Sequence, residues 1–228
     1  WEGNCRTRVD VTGKIVSPGF IDIHTHSDTC PFSAVFPESK VAQGITLEIV
    51  GNCGVSAVPI LPSCQAEQTA YLRKISEIPV PEEAVRDASV QKYAAHVAQT
   101  GYPSHLGTLI GQGTLRAGIV GFQDRPLTPS EMEQMKFLLD DQLNQGALGL
   151  SLGLIYPPGS FSPTSELREL ARVVQKHKKI LAVHMRNEGP NIFQAVEEML
   201  SIAEETGVHL HISHLKLMGK AQWGQAPR

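Results

Sequence analysis

The stretch GFIDIHTHSD, residues 19–28, decides the interpretation of this sequence because its apolar run ends in two histidines one residue apart. The run FIDIH is rich in β-branched and aromatic residues, which favours a β-strand. Alternate residues of a strand point to the same face, so His24 and His26 can bind one ion together. Two solvent-facing histidines at a strand end would explain them equally well, and the rest of the sequence has to discriminate.

The rest of the sequence alternates predicted strands with predicted helices. Five strands follow the first, at 45–50, 104–111, 147–154, 180–184 and 208–214. The longer predicted helices between them lie at 81–101, 130–146, 162–179 and 191–207. This alternation implies right-handed βαβ units and a parallel sheet, and six strands fit either a doubly wound sheet or a β/α barrel. No glycine-rich phosphate-binding motif follows the first strand, which argues against nucleotide binding.

Local signals set the expected ends of these elements. Residues 6–20 are predicted to form an edge strand, a turn at Gly13 and a second strand that ends at Pro18-Gly19. The helix at 81–101 is predicted to begin near Pro81. The helix at 130–146 carries a Ser-x-x-Glu start signal at Ser130 and Glu133.

The composition limits the classes of function. The 228 residues include 41% hydrophobic and 19% charged residues, as in ordinary globular proteins. A net charge of -3 gives no electrostatic reason to expect nucleic acid or membrane as a partner. No apolar run approaches the ~18 residues that span a bilayer, and the N-terminus lacks a secretory signal pattern. The four cysteines form no C-x-x-C pair. We therefore expect a cytoplasmic protein.

Candidate metal ligands follow four of the six predicted strands, at the edge where functional residues of parallel α/β sheets gather. They are His24 and His26 after the first strand, Cys53 after the second, His184 after the fifth and His214 after the sixth. Each residue alone has an ordinary explanation, such as a small buried thiol or a hydrogen-bonded histidine. Together they favour a zinc site, because zinc prefers imidazole and thiolate ligands.

Five segments resemble one known family. They are VSPGFIDIHTH at 16–26, EIVGNCGVS at 48–56, GLSLGLIYPPG at 149–159, HMRNEG at 184–189 and HISHLK at 211–216. The first resembles the amidohydrolase superfamily in general, and the others resemble its N-acyl-D-amino-acid deacylases (D-aminoacylases). The resemblance implies a TIM-like (β/α)8 barrel with a small β-sandwich domain. We expect residues 1–17 to be a remnant of that domain and residues 18–228 to be a partial barrel of about six β/α units.

The resemblance also implies roles for particular residues. Cys53, His184 and His214 would hold a tightly bound zinc ion, and His24 and His26 would belong to a weaker second metal position. Tyr156 and Lys216 would hold the α-carboxylate of the substrate, with Arg186 as a further contact. The predicted fourth strand contains no lysine. This agrees with a branch in which a cysteine replaces the metal-bridging carboxylated lysine of many amidohydrolases.

The activity implied by the resemblance is zinc-dependent hydrolysis of N-acyl-D-amino acids, which gives a carboxylate and a free D-amino acid. The family's catalytic aspartate would lie beyond Arg228, and Asp28 does not match it, so we expect this chain to be a fragment. Two alternatives stay open at this stage. One is a dihydroorotase-like or isoaspartyl-dipeptidase-like amidohydrolase, against which Cys53 and GLIYPPG argue. The other is a non-catalytic scaffold, which would have no chemical need for the ligands.

Overall fold

A computed structural model describes residues 3–33, 36, 38–76 and 88–225 of the chain. The strands are β1 (Phe20–Asp22), β2 (Ile45–Val50), β3 (His105–Thr108), β4 (Ile110–Gly111), β5 (Gly149–Gly153), β6 (Ile180–His184) and β7 (His209–Ile212). The α-helices are α1 (Glu38–Ala42), α2 (Gln65–Leu72), α3 (Val90–Thr100), α4 (Gln112–Val120), α5 (Pro129–Asn144), α6 (Thr164–Lys176) and α7 (Ile192–Thr206). Among the helices of these residues, none is long and apolar enough to cross a membrane.

All strand pairs are parallel and follow chain order, as β1-β2-β3 and β4-β5-β6-β7. β3 and β4 are the two parts of the predicted third strand and are separated only by Leu109. The amide of Leu109 donates to the carbonyl of Val50 over 2.9 Å, and the amide of Leu148 donates to Thr108 over 2.9 Å. The six predicted strands therefore lie side by side in sequence order, without the reversal that defines a doubly wound sheet. The predicted parallel α/β fold is confirmed.

The core lies between this sheet and the helices that cover it. All five residues of β5 are buried, as expected for a strand covered on both faces. α6 shows how a helix covers the sheet, because its buried apolar side chains recur at helical spacing. They are Leu167, Leu170, Ala171 and Val174. This packing fixes the strand ends from which the candidate ligands project.

Residues 6–19 contain the predicted turn but not the two predicted strands. The turn is confirmed, since Gly13 has a φ of 72° and the amide of Lys14 donates to the carbonyl of Val11 over 2.9 Å. No residue in 6–19 is in a strand, so the prediction of strands here is wrong. The alternation of apolar residues is real, but Ile15 is 96% exposed and nothing described covers it. The assignment of residues 1–17 to a β-sandwich domain stays a prediction.

Two helix starts differ from the expected positions. The start predicted near Pro81 lies outside the described residues, and α3 begins at Val90, where Ser89 accepts a hydrogen bond from the amide of Lys92. The start of α5 is a capping box formed by Thr128 and Glu131, not by Ser130 and Glu133. Pro129 at the first helical position is the sequence signal that favours the earlier start.

The sequence patterns do not predict the helices α2 and α4. α4 is buried on nearly all sides, so it lacks the apolar stripe by which amphipathic helices are recognised. It also contains Gly113, a residue type that lowers helix propensity by about 1 kcal/mol. Glycine is required there, because a Cβ atom would lie 2.3 Å from the hydroxyl of Tyr71.

Candidate metal centre

An open cavity of about 560 Å³ lies at the carboxyl ends of the strands. Its wall contains every predicted site residue except Arg186. They are His24, His26, Cys53, Tyr156, His184, His214 and Lys216. The wall also includes apolar side chains such as Val55 and Ile75, and the volume is typical of small-molecule sites. Segments far apart in the sequence are thus brought to one place, as the positions at strand ends predict.

The glycine-rich turn after β2 places Cys53 in the cavity. Gly51, Cys53 and Gly54 all have positive φ angles, of 77°, 53° and 75°. A Cβ atom on Gly51 would lie 2.1 Å from the carbonyl oxygen of Leu109, and one on Gly54 would lie 2.6 Å from the amide nitrogen of Gly153. These positions therefore require glycine for both conformation and space. The turn can press against the neighbouring strands and present the thiol between them.

Two sets of three donor atoms converge at the cavity, each with all atoms within 4.8 Å of one another. The first consists of His24, Cys53 and His214, where the sulfur lies 3.4 Å from Nε2 of His24 and 3.5 Å from Nε2 of His214. The second consists of His184, Glu188 and His214. The predicted tight set, Cys53, His184 and His214, is therefore divided between two groups that share His214. The fifth predicted ligand, His26, has its ring centroid 5.6 Å from that of His24.

Burial favours the neutral, ligand-competent form of three of the imidazoles. Burial and, to a smaller extent, the neighbouring rings of His26 and His214 lower the pKa of His24 to about 4. Burial likewise lowers the pKa of His26, and it lowers the pKa of His184 to about 4. The same burial raises the pKa of the Cys53 thiol to about 11. A nearby cation would reverse that last effect, because it favours the thiolate.

Buried nitrogen atoms without partners support a metal site. Nδ1 of His24, Nδ1 of His26 and Nε2 of His184 are buried and have no hydrogen-bond partner. Unpaired buried polar atoms are rare and require an explanation. An ion would supply the partner for some of them, and the donor set of thiol and imidazole suits zinc. The residues present therefore fit a zinc centre.

Tyr156 and Lys216 lie beside these donors. The hydroxyl of Tyr156 donates a hydrogen bond to the backbone carbonyl of Cys53, which ties the GLIYPPG segment to the turn after β2. Nζ of Lys216 lies 2.5 Å from Oε2 of Glu188. Glu188 was not predicted as a site residue. The signals that could have found it are its position four residues after His184 and its place within the HMRNEG segment.

Arg186 lies outside the cavity wall. Its guanidinium pairs with Glu198, with Nε 3.0 Å from Oε2, and donates to the carbonyls of Ser160 and Ser162 over 3.1 and 3.0 Å. The structure thus places Arg186 against the segment that follows Tyr156, and its predicted contact with a substrate stays a prediction. Asp28 also lies outside the wall and is fully buried. Its carboxylate accepts from the amide of Gly51 over 2.8 Å.

Three further histidines, His96, His105 and His177, are not part of the cavity wall. His96 stacks on Phe32 with ring centroids 4.7 Å apart, and Nε2 of His177 lies 2.9 Å from Oδ1 of Asp140. His105 is exposed at the start of β3. These positions indicate packing or surface roles.

Comparison with known proteins shows the family to which this chain is similar. The model of the amidohydrolase family matches residues 7–226. The chain is 35% identical to a D-aminoacylase of Alcaligenes xylosoxydans xylosoxydans, over 96% of this chain and 44% of that protein. It is 36% identical to an N-acyl-D-glutamate deacylase of the same organism, over 96% of this chain and 43% of that protein. The chain therefore spans less than half the length of these relatives.

A solved structure supports the same relationship. The N-acyl-D-glutamate deacylase of Bordetella bronchiseptica, complexed with zinc and a phosphonate inhibitor that mimics the tetrahedral intermediate, superposes with a TM-score of 0.83 at 35% identity. The match covers 96% of this chain and 44% of that chain. The parallel strand order, the donor cluster and these similarities agree with one another. The chain belongs to the amidohydrolase family.

Proposed function

We propose that the protein hydrolyses the amide bond of N-acyl-D-amino acids and holds zinc at His24, His26, Cys53, His184 and His214. The observation that carries the proposal is the convergence of one thiol and four imidazoles in a single cavity that also contains two lysines, Lys74 and Lys216. The relatives are deacylases of N-acyl-D-amino acids, and one was solved with zinc. One tightly held ion and a weaker second position are part of the proposal.

A bound zinc ion would supply Lewis acidity, which polarises a carbonyl group and lowers the pKa of water towards neutrality. The chain's own residues prepare the site for it. His24 and His184 stay neutral at physiological pH because burial lowers the pKa of each to about 4. The apolar wall around Val55 and Ile75 limits the water that surrounds a bound substrate.

Lys216 is the proposed anchor for the substrate's α-carboxylate. Lys216 lines the cavity, and its Nζ lies 2.5 Å from Oε2 of Glu188, which does not line it. A fixed cation beside the metal donors sets the direction in which the α-carbon presents its side chain, which is how such a site would select the D enantiomer. Tyr156 would assist only after exchanging its present acceptor, the carbonyl of Cys53, for the substrate carboxylate.

The group that takes a proton from the attacking water has to be a base within reach of the cavity. No aspartate or glutamate is found among the described residues that line it. We propose that this base is the aspartate that the family resemblance places after Arg228 in the sequence. The proposed ligands and Lys216 would then bind zinc and orient the substrate, and the aspartate would transfer the proton.

The proposal is tested by zinc content and a substrate panel measured on the full protein. We expect about one zinc per chain after dialysis and release of free amino acid from N-acetyl-D-leucine and N-acetyl-D-glutamate, but not from their L enantiomers. The enantiomers are matched controls, because they differ only in configuration. Cleavage of dihydroorotate or an isoaspartyl dipeptide, with no activity on acyl-D-amino acids, would favour the alternative amidohydrolase. Zinc-free protein without activity on any substrate would contradict the proposal.

A further inference from the structure

Glu188 is a buried carboxylate behind the cavity wall. It lies in the loop between β6 and α7, its side chain is 3% exposed, and it does not line the cavity. Its backbone carbonyl accepts from the amide of Met218 over 2.6 Å, which fixes its main chain. A carboxylate in this position cannot reach a substrate. It can act only through the residues that it touches.

The two oxygens of Glu188 contact three residues of the wall. Oε1 lies 3.0 Å from Nδ1 of His214 and 3.6 Å from Nε2 of His184. Oε2 lies 2.5 Å from Nζ of Lys216. A buried carboxylate is expensive to desolvate unless it is paired; Oε2 pairs with Lys216, whereas Oε1 has the two imidazoles nearby but no hydrogen-bond partner. One side chain thus links two candidate metal ligands to the candidate substrate anchor.

The contact with His214 determines which nitrogen of that ring can bind a cation. Nδ1 faces Glu188, whereas Nε2 lies 3.5 Å from the sulfur of Cys53. Nζ of Lys216 also lies near Nδ1, at 3.4 Å, but the carboxylate is closer, at 3.0 Å, and it favours the tautomer with its hydrogen on Nδ1, which leaves the Nε2 lone pair free. His214 also has a φ of 36°, a strained conformation for a residue with a side chain.

We propose that Glu188 is the positioning residue that aligns His214 towards the metal and Lys216 towards the substrate carboxylate; this rests on the proposed zinc-dependent deacylase function. Because both residues are held by the same carboxylate, its loss weakens zinc binding and substrate binding together. Changing the outer partner of a metal-binding histidine typically lowers metal affinity by about 10–100-fold.

The chain offers a matched control for Glu188. Glu166 is also buried, and its Oε2 lies 2.5 Å from Nη1 of Arg116, but its hydrogen-bond partners Gln112, Arg116 and Ser162 do not line the cavity. Glu188→Gln and Glu166→Gln therefore remove the same charge from two buried carboxylates. A loss of zinc affinity confined to the first variant separates positioning from general destabilisation.

The experiment measures zinc affinity by chelator competition on the wild-type protein, Glu188→Gln, Glu188→Ala and Glu166→Gln. We expect about 10-fold weaker binding for Glu188→Gln, up to about 100-fold for Glu188→Ala, and wild-type affinity for Glu166→Gln. In active protein, Glu188→Gln should also raise KM for the acyl-D-amino acid. Wild-type zinc affinity in both Glu188 variants would overturn the proposal.

A second readout needs no metal. Long-range ¹H–¹⁵N spectra of the metal-free protein report the tautomer of His214, which we expect to carry its hydrogen on Nδ1 in the wild type and to lose that preference in Glu188→Ala. An unchanged tautomer would also overturn the proposal. Wild-type protein that binds no zinc would refute the proposed function, whereas the tautomer measurement would still decide the role of Glu188.

Discussion

Cys53 is a buried thiol in a left-handed backbone conformation, and two imidazole nitrogens lie within 3.5 Å of its sulfur. A positive φ at a residue other than glycine is strained and is found preferentially at functional sites. A small buried thiol, by contrast, is usually a packing residue. The combination of strain, burial and donor neighbours favours the ligand interpretation over the packing one.

Replacement of Cys53 tests this interpretation. Cys53→Ala should lose the tightly held zinc, because the thiolate is its only anionic ligand among the proposed residues, whereas His24→Ala should lose at most the weaker ion. In the wild type, zinc uptake should release about one proton per ion, since burial raises the pKa of the thiol to about 11 and only the thiolate binds metal. Metal content after dialysis and titration of the released proton measure both effects.

Cys64 provides the control for this experiment. It is a free cysteine outside the cavity wall, so Cys64→Ala should keep the zinc content of the wild type. Equal zinc retention in Cys53→Ala and Cys64→Ala would exclude Cys53 as a ligand. The sign of the pH effect is also fixed: zinc affinity should rise with pH below the pKa of the thiol, because the protons that compete with zinc for the thiolate become less concentrated.

At the scale of structural elements, the segment between β5 and α6 is held from two sides. The hydroxyl of Tyr156 donates to the carbonyl of Cys53 at one end. Arg186 donates to the carbonyls of Ser160 and Ser162 at the other, and Glu198 holds its guanidinium. A short loop with little secondary structure thereby acquires a fixed conformation next to the cavity.

Arg186→Lys should loosen this segment, because lysine cannot make the same set of forked hydrogen bonds. Hydrogen bonds to charged groups contribute about 1.5–3 kcal/mol, so amide hydrogen exchange at residues 160–162 should become about 10–100-fold faster if opening of the segment limits exchange. Exchange measured by NMR or mass spectrometry checks this. Unchanged exchange together with a raised KM would instead support the substrate contact that the family resemblance implies.

At the scale of the whole molecule, one parallel row of strands carries all the candidate ligands. Their positions depend on a core in which Leu150 of β5 is completely buried, so the stability of the sheet and the integrity of the site are linked. The row leaves apolar side chains exposed on β1, where Phe20 is 58% and Ile21 is 59% exposed. The core therefore centres on β5 and β6 rather than on β1.

Leu150→Ala should lower the free energy of unfolding by about 2–5 kcal/mol, because it removes buried methyl groups and leaves a cavity in the close-packed core. Phe137→Ala is the control, since this side chain is 73% exposed and its loss should change stability by less than about 0.5 kcal/mol. Denaturant unfolding of the two variants and the wild type measures the difference. Equal stability of both variants would contradict the placement of the core.

The sequence by itself determined the α/β class, the six strands and the positions of the candidate ligands at strand ends. It could do so because apolar runs, glycine stops and helical periodicity are local signals, and because parallel strands bring their carboxyl ends together. It failed for residues 6–19 and for α4. A strand needs a partner, and a helix buried on all sides shows no polar face.

Only the tertiary structure decided which donor atoms face one another. Cys53 meets His24 and His214, whereas His184 meets Glu188, and Arg186 lies beneath the Tyr156 segment rather than in the cavity. These pairings depend on contacts between segments far apart in the sequence, such as the packing of Gly54 against Gly153. Strand positions can be predicted from local patterns, but the orientation of side chains at their ends depends on the packing of the loops.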